Sequence, residues 1–473
     1  MSVDAEGTAG SAPKRARAAV PNVSQEYARA LAAAQPQLST ASASEVQRFL
    51  ASQLPNPVLV DESHAALLAS ASGAFPVTVR PPEKAMPDLE ALLEFSHGYC
   101  VSSGGTEEMW ASLADVLTGN AVQRLCALAA VPYTDNRNSA DTLGATQGRL
   151  RPDYCAWING ALVLKAEHRR STEQLAGAMD ALRDKTVSWN PLVMRGMPFL
   201  PCYAVGGHLI QFALLLPGPG PSVRIEAVTE VLSMASPSDR LRVLATSFNL
   251  FRLIVWLRAR MPLTVPKLYA RQPRRDGGSI TVYEDHVVKR CRVTAPADVY
   301  KRLQAGAIPC AVRVTEHALG TRDGGLARLI IRPVALETRP HDEAGLRAAV
   351  VCVLTALAAL HAAGFVHRDV RWPNVLHVGG AEWLLADFEL ASRAGEPLST
   401  GAINLRFVAP EAQPPGAPYG PAADVWQVGR LIGGAGVAAL SAGALAFAAR
   451  LEAPERPSAT EALLDPWLAA KGS

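Results

Sequence analysis

The sequence has little net charge. Its 46 basic and 43 acidic residues leave a formal charge of only +3. Because so small an excess creates no overall positive field, a general affinity for nucleic acid or for an anionic membrane is not indicated, although a nucleic-acid partner stays possible. Charge alone therefore favours neither a nucleic-acid-binding protein nor a membrane-surface protein.

The sequence also lacks the cysteine patterns of secreted proteins. Its seven cysteines are scattered and contain no CxxC pair, which is untypical of a disulfide scaffold or a zinc site. No apolar run of a secretory signal occurs near the amino terminus. The uncharged stretch at 431–449 is rich in Ala and Gly, which disfavours a membrane span and favours core helices. These absences predict an intracellular protein, cytoplasmic or nuclear, without membrane contact.

The most informative stretch is GFVHRDVRWPNVLHVGGAEWLLADFEL at 364–390, in which Asp369, Asn374 and Asp387 follow one another. This spacing resembles the catalytic loop and metal-binding segment of the protein kinases. The phosphoryl transfer that the resemblance implies needs a carboxylate that orients the attacking hydroxyl and oxygen ligands that hold Mg²⁺ on the phosphates. Asp369 suits the first task, and Asn374 and Asp387 suit the second. The apolar runs around Gly379-Gly380 predict a hairpin that brings Asn374 and Asp387 together.

Further landmarks follow in order along the chain. The apolar period of 343–363 predicts a helix leading into the loop, and Ala409-Pro410-Glu411, Asp424-Val425-Trp426 and Arg456-Pro457 come after it. With the HRD and DF motifs, this order resembles the protein kinases. The resemblance implies ATP and Mg²⁺ as cofactors and a protein Ser/Thr hydroxyl as acceptor. It also implies that Arg371 neutralises the transferred phosphate, where Ser/Thr kinases use a lysine.

The kinase resemblance extends to an amino lobe with unusual features. Lys289, in Val287-Val288-Lys289, resembles the lysine that binds the nucleotide phosphates, and its expected helix partner is Asp298. Ile331 and Val334 are expected to lie along the adenine site. No GxGxxG precedes Lys289, so Gly277 and Gly278 would have to cover the phosphates. This departure leaves open a pseudokinase that acts as a scaffold or a nucleotide sensor.

The glycine that usually follows the DF pair is replaced by Glu389. Glycine at this position permits backbone flips. Glutamate should restrict the flip without removing the Asp387 carboxylate. The replacement therefore predicts altered regulation rather than lost chemistry.

A second motif lies between Arg149 and Lys185. Nucleases of the restriction-endonuclease-like fold carry a proline-aspartate on one strand and an acid-x-lysine on the next, where two carboxylates bind Mg²⁺. Asp153 and Glu167 resemble those carboxylates, Arg169 stands where lysine is expected, and Glu107 or Glu108 could supply a third acid. A metal-dependent nuclease is therefore a second alternative.

Hairpin register tests this alternative. A two-residue turn at Asn159-Gly160 would place Asp153 and Glu167 on opposite faces of the sheet, whereas a three-residue bulged loop would place them on one face. The predicted nuclease-like site requires the bulged loop.

The RPDY and KAEHR motifs, followed by the HRDVRWPNV loop, together resemble the carboxy-terminal region of crinkler-type proteins and their fungal kinase-like relatives. The predicted fold class is α+β. We predict an unstructured tail (1–35), a helical lead-in (36–99), an α/β restriction-endonuclease-like domain (100–262) and a two-lobed protein-kinase-like domain (263–473).

Overall fold

The computed structural model describes residues 22–38, 41–60, 62, 76–80, 86–98, 106–137, 151–186, 189–218, 222–262, 268–274, 277–318, 326–398 and 405–469. Two large hydrophobic cores form within these ranges. One is built from residues between Tyr27 and Leu257 and the other from residues between Cys291 and Trp467. We call the two parts the amino-terminal module (22–262) and the carboxy-terminal module (268–469).

The amino-terminal module is organised around a mixed sheet. Its strands follow the order β3-β4-β5-β6-β7-β8, with β5 and β6 parallel, the other pairs antiparallel, and β9 paired to β7. Each strand of the central pair is buried over most of its length, as expected for strands covered on both faces. The strands are β3 (Thr134–Arg137), β4 (Tyr154–Ile158), β5 (Ala161–Arg169), β6 (Leu200–Gly206), β7 (Leu209–Pro217), β8 (Val223–Ala227) and β9 (Leu232–Ser233).

Helices cover this sheet and complete the core. One helix after β5 packs on the parallel strand pair, and a long carboxy-terminal helix packs against the helices that precede the sheet. A parallel pair, β1 (Val58–Val60) and β2 (Val77–Val79), lies among those earlier helices. The helices are α1 (Val23–Ala33), α2 (Ala43–Leu50), α3 (Pro87–Gly98), α4 (Glu107–Asp115) with its π-helical continuation (Val116–Asn120), α5 (Ala121–Leu128), α6 (Leu175–Asp184), α7 (Pro191–Met194) and α8 (Pro237–Arg260).

The start of the module corrects the described part (22–35) of the tail predicted at 1–35, and positions 1–21 of that prediction lie outside the described residues. Helix α1 begins after Asn22, whose side chain caps it by accepting from the Ser24 amide at 2.8 Å. Tyr27 and Leu31 are buried in the same core as the sheet. Since the predicted lead-in at 36–99 also contributes to this core, the described part of that segment belongs with the module rather than apart from it.

The β4–β5 hairpin has a register that neither predicted loop produces. Its turn is the two-residue Asn159-Gly160 form, with both residues in the left-handed region. A bulge at Val163 then shifts the pairing by one residue, so that Tyr154 faces Ala166. Extending that register places Asp153 opposite Glu167. A two-residue turn was expected to place Asp153 and Glu167 on opposite faces of the sheet. That expectation was wrong, because the bulge shifts the register by one residue and returns them to the same face.

The carboxy-terminal module has two lobes, which confirms the predicted α+β, kinase-like architecture. Its smaller lobe is a five-stranded antiparallel sheet in the order β10-β11-β12-β14-β13, with a helix packed on β13. The elements are β10 (Arg271–Pro273), β11 (Ser279–Val282), β12 (Val287–Cys291), α9 (Ala297–Ala305), β13 (Arg313–Ala318) and β14 (Ala327–Arg332).

The larger lobe is mainly helical. Among the described residues, α10 is the one helix long and apolar enough to cross a membrane, and here it packs against the β17–β18 hairpin and α11. The uncharged stretch at 431–449 ends one core helix and begins another, as predicted. The elements are β15 (Leu336–Glu337), α10 (Glu343–Ala362), β16 (Phe365–Val366), β17 (Val375–Gly379), β18 (Glu382–Leu385), β19 (Ser392–Arg393), α11 (Pro421–Gly433), α12 (Ala442–Glu452), α13 (Ala459–Ala462) and α14 (Pro466–Ala469).

The two modules meet beside the segment that follows β14, the last strand of the smaller lobe. Leu192 of α7 shares a buried cluster with Val282, Val334 and Leu336. Asn190 donates from its side-chain amide to the Glu284 carbonyl oxygen at 2.8 Å. The amino-terminal module therefore contacts the carboxy-terminal module along the turn after β11 and the segment after β14.

Candidate active site

The loop that carries Asp369 is held from below by one buried carboxylate. Asp424 of α11 is fully buried and accepts from the backbone amides of His367 and Arg368 at 2.7 and 2.8 Å. His361 and the Tyr419 hydroxyl complete its contacts at 2.9 and 3.0 Å. Burial alone would raise the pKa of Asp424, but these hydrogen bonds and the His361 charge hold it below its usual value. This anchor also supports Arg368 at φ +73°, a backbone conformation rarely adopted outside glycine.

Asp369 and Asn374 face each other across this loop. The Asn374 side-chain nitrogen donates to the Asp369 carbonyl oxygen and to its Oδ2, both at 2.7 Å. Since the amide nitrogen makes these contacts, the Asn374 oxygen is the atom left for a metal. Arg371 Nε lies 2.9 Å from Asp369 Oδ1, so its half-exposed guanidinium rests on the carboxylate before any phosphate is bound.

The β17–β18 hairpin brings the metal-binding candidates together as predicted. Val375 pairs with Leu385, and the Ala386 amide donates to the Asn374 carbonyl oxygen at 2.8 Å. Asp387 follows directly, with a left-handed backbone at φ +64°. Its strained conformation is typical of residues whose position is dictated by a site.

Asp387 pairs with the strand lysine of the smaller lobe. Lys289 Nζ lies 2.9 Å from Asp387 Oδ1 and is almost completely buried. Burial alone would raise the pKa of Asp387, but the charge and hydrogen bond of Lys289 outweigh it and lower the pKa. The structure therefore joins the predicted phosphate ligand to a predicted metal ligand across the two lobes.

The second carboxylate on Lys289 is not the predicted one. Lys289 Nζ lies 2.5 Å from Glu389 Oε1. Asp298, the expected partner, is 52% exposed and pairs with Lys301 at 3.3 Å, because it lies on the outer side of α9. The predicted Lys289–Asp298 pair is thus corrected to Lys289–Glu389.

The predicted phosphate-covering glycines lie in the turn between β10 and β11. Gly277 has φ +80°, and the Arg274 amide donates to the Gly278 carbonyl oxygen at 3.1 Å. Ile331 pairs with Val287 across the sheet, while Val334 is buried against Leu192. Val334 thus has a packing role at the module junction that the sequence pattern does not reveal.

The donor set fits Mg²⁺. Among the described residues no group of three or more His, Cys, Asp or Glu side chains could enclose a metal. The site instead offers a carboxylate at Asp387 and an amide oxygen at Asn374. Mg²⁺ typically binds through one or two protein oxygens and completes its shell with substrate phosphates and water. The residues present therefore suit a metal that arrives with a nucleotide.

The predicted nuclease-like residues form a second cluster in the amino-terminal module. Arg169 Nη1 lies 3.5 Å from Glu167 and 3.9 Å from Asp153, which places these three residues together. Glu107 does not join them, because it pairs with Arg170 at 3.4 Å. Lys185 Nζ lies 2.6 Å from Glu167 Oε2, the position at which a metal would have to bind.

The Glu167 carboxylate is also completely enclosed. Its side chain is 0% exposed, and burial raises its pKa. Lys185 and Arg169 both contact Glu167 Oε2, so the cluster resembles a structural ion network more than an open two-carboxylate metal site.

Three participants were not found from the sequence. The sequence pattern identifies Glu389 only as a replacement for glycine and Arg274 only as the start of the segment (274–279) expected to cover the phosphates, and it gives Lys185 no role. Arg274 donates to both Glu389 carboxylate oxygens, at 3.2 and 2.9 Å. The signal that could have found Glu389 is the absence of a glutamate from α9, which leaves the buried lysine in need of another acid.

Comparison with known proteins agrees with this geometry. Residues 318–434 match the family model of the protein kinase domain. Crinkler effector protein 8 of Phytophthora infestans is 26% identical over 303 residues, which cover 63% of this chain and 49% of that protein. The mitogen-activated protein kinase HOG1 of Wallemia sebi is 35% identical over 95 residues, 20% of this chain and 34% of the relative.

A third similar protein is cyclin-dependent kinase 11 of Dictyostelium discoideum, at 35% identity over 80 residues, 16% of this chain and 22% of that kinase. The chain spans about half the length of the crinkler relative that it matches. The predicted resemblance to protein kinases and crinkler-type proteins is confirmed. The restriction-endonuclease-like assignment of 100–262 stays a prediction.

Proposed function

We propose that this chain is an ATP- and Mg²⁺-dependent protein kinase that transfers the γ-phosphoryl group to a Ser or Thr hydroxyl of a protein. The observation that carries the proposal is the pairing of Lys289 with Asp387 across the lobes, beside the Asp369–Asn374 pair. We further propose that it acts inside the cell, in the cytoplasm or the nucleus.

Each residue has a task in that reaction. Lys289 would bind the nucleotide phosphates, and Asn374 and Asp387 would hold Mg²⁺, which neutralises charge that develops on the phosphoryl oxygens. Asp369 would orient the acceptor hydroxyl and accept its proton. Arg371, which now rests on Asp369, carries the charge needed to stabilise the transferred group. Together these side chains supply positioning and electrostatics, which provide most of the catalysis in phosphoryl transfer.

The test is phosphotransfer from γ-labelled ATP by the full chain to itself and to a generic protein substrate. We expect Mg²⁺-dependent incorporation of label by the parent chain and none by Asp387→Ala. Acid hydrolysis of the labelled product should release the label as phosphoserine or phosphothreonine. Asp180→Ala, at an exposed carboxylate of the amino-terminal module, is the matched control and should retain activity. Nucleotide binding without incorporation would instead favour the pseudokinase alternative.

A further inference from the structure

We infer that Glu389 is the positioning residue for Lys289, replacing the carboxylate that the adjacent helix would be expected to supply. This inference rests on the proposed kinase function, because Lys289 acts there as a phosphate ligand. The segment that carries Asp387 would then also position Lys289, a task that otherwise depends on the placement of α9.

The side-chain contacts of Glu389 support this role. The carboxylate lies 2.5 Å from Lys289 Nζ, and the two side chains are only 10% and 8% exposed. Charged groups in such surroundings interact strongly, and an unpaired one is costly. Lys289 therefore cannot turn away from Glu389 without giving up a buried ion pair.

The backbone of Glu389 is fastened to the smaller lobe as well. Its carbonyl oxygen accepts from the amides of Thr294 and Ala295 at 3.3 and 3.1 Å and from the Thr294 hydroxyl at 2.9 Å. These contacts tie the segment after Asp387 to the link between β12 and α9. Glu389 is consequently held at both its side chain and its main chain.

Arg274 extends the network to the loop that would cover the phosphates. It lies directly after β10, at the start of the turn containing Gly277 and Gly278, and forms a two-pronged ion pair with Glu389. Paired, planar contacts of this kind fix orientation as well as distance. The covering loop and Lys289 are thus linked through the Glu389 carboxylate, and Lys289 in turn pairs with Asp387.

Helix α9 shows where the usual partner is missing. Its sequence, ADVYKRLQA, contains one acid, Asp298, which faces solvent. Tyr300 of the same helix is buried, and its pKa is raised by burial and then by the charges of Glu389, Cys291 and Asp387. A tyrosine therefore occupies the inner face of α9 that lies near the ion network.

A regulatory consequence follows. Where lysine is positioned by a helix, moving that helix switches the site. Here Lys289 is positioned by a residue next but one to Asp387. The phosphate ligand and the metal ligand should consequently be in place or out of place together, without dependence on α9.

The first experiment compares Glu389→Gln with Asp298→Asn in the full chain. Affinity is measured with a fluorescent ATP analogue, with and without Mg²⁺, alongside phosphotransfer. Since misplacing a reacting group by about 1 Å can cost about 100-fold in rate, we expect Glu389→Gln to lower kcat by roughly that factor. It should also weaken nucleotide binding in both conditions, and Asp298→Asn should change neither. Equal effects of the two variants, or none from Glu389→Gln, would overturn the inference.

The second experiment moves the carboxylate. Glu389→Gly restores the residue usual after a DF pair and should behave like Glu389→Gln. Adding Tyr300→Glu to that variant places an acid on the inner face of α9, and we expect it to recover part of the nucleotide affinity. A merely structural role of Glu389 predicts no recovery.

A double-mutant cycle in thermal unfolding, without nucleotide, keeps the inference testable if the chain transfers no phosphate. Lys289→Met and Glu389→Gln should be strongly non-additive, as expected for residues in direct contact. Coupling without phosphotransfer would refute the proposed function and leave the positioning role standing. Additivity would refute the positioning role even in an active kinase.

Discussion

The two modules each gather carboxylates and cations, but they do so with opposite results. In the carboxy-terminal module, Asp387 is 26% exposed and Asp369 is 14% exposed, so both retain access from the cleft. In the amino-terminal module, Glu167 is fully buried and capped by Lys185 and Arg169. Similar residue types thus produce an accessible site in one place and a closed ion network in the other.

The difference shows that the placement of cations matters more than the number of acids. Lys289 lies where a phosphate would later compete for it, so its pairing with Asp387 can exchange for a ligand. Lys185 also donates to the Arg151 carbonyl oxygen at 2.8 Å, so it serves the local backbone as well as Glu167. A carboxylate that is already paired with a structural cation can bind Mg²⁺ only if that cation is displaced.

The largest expected effect comes from removing the metal-binding charge. Asp387→Asn should lower phosphotransfer by at least about 1,000-fold, because a bound metal contributes several kcal/mol to the transition state. Initial rates at saturating ATP and Mg²⁺ measure it. Glu167→Gln, which removes a carboxylate of the other cluster, should leave the rate unchanged. An equal loss there would break the comparison by showing that both clusters serve one reaction.

The second effect separates the chemistry of the acceptor from binding of the nucleotide. Asp369→Asn should reduce kcat by about 100-fold, the lower range for loss of a general base. Nucleotide affinity, measured by titration of a fluorescent analogue, should stay the same, because the proposed role of Asp369 is at the acceptor hydroxyl rather than at the phosphates. Unchanged turnover in this variant would contradict the role assigned to Asp369.

The third effect concerns the anchor beneath the catalytic loop. Asp424→Ala should destabilise the carboxy-terminal module by several kcal/mol, since each buried donor left without an acceptor costs about 1–3 kcal/mol. Thermal unfolding of the full chain measures it, with Asp298→Ala as an exposed control. A small, equal change in both variants would show that the anchor is dispensable.

The same anchor predicts a pH dependence. Because the pKa of Asp424 is lowered in the folded state, its stabilising effect is fully present above the unfolded value of about 4 and is lost as pH falls through the folded pKa. Asp424→Asn should therefore lose less stability than the parent chain over that acid window. Parallel curves for the two proteins would argue against it.

The smallest effect sharpens the description of the closed cluster. Lys185→Met should destabilise the amino-terminal module by about 1–3 kcal/mol, because Glu167 is left buried without its closest cation. The pKa of Glu167 is already raised, so the loss should be greatest at high pH and fade as pH falls and Glu167 takes up a proton. Arg183→Met, at an exposed neighbour, is the matched control.

Prediction from sequence placed residues together correctly where their arrangement depends on neighbours along the chain. Asp369, Asn374 and Asp387 are held by one loop and one hairpin, so their order and the Gly379-Gly380 turn were enough to place them together. It failed where the partner comes from elsewhere. Glu389 meets Lys289 only because β12 and the segment after Asp387 are brought together by both lobes, and a solvent-facing Asp298 cannot be distinguished from an inward-facing one by spacing alone.

The amino-terminal module shows the same limit. The Asn159-Gly160 turn was predicted correctly, but the bulge at Val163 was not, because a bulge in an unbroken apolar strand leaves no mark in its pattern. Helix α1 was missed for a related reason. Its Ala-rich segment has few large apolar residues, and tertiary contacts of Tyr27 and Leu31 stabilise what helix propensity alone would leave marginal.

The sequence by itself determined the α+β class, the kinase-like order of motifs and the platform made by Asp369, Asn374 and Asp387, because local backbone geometry and side-chain chemistry are sufficient for these. Only the tertiary structure decided which acid positions Lys289, that Val334 packs against another module, and that Glu167 is closed by Lys185. Those outcomes depend on burial and on the meeting of distant segments, and a buried charge selects whichever partner the fold brings within reach.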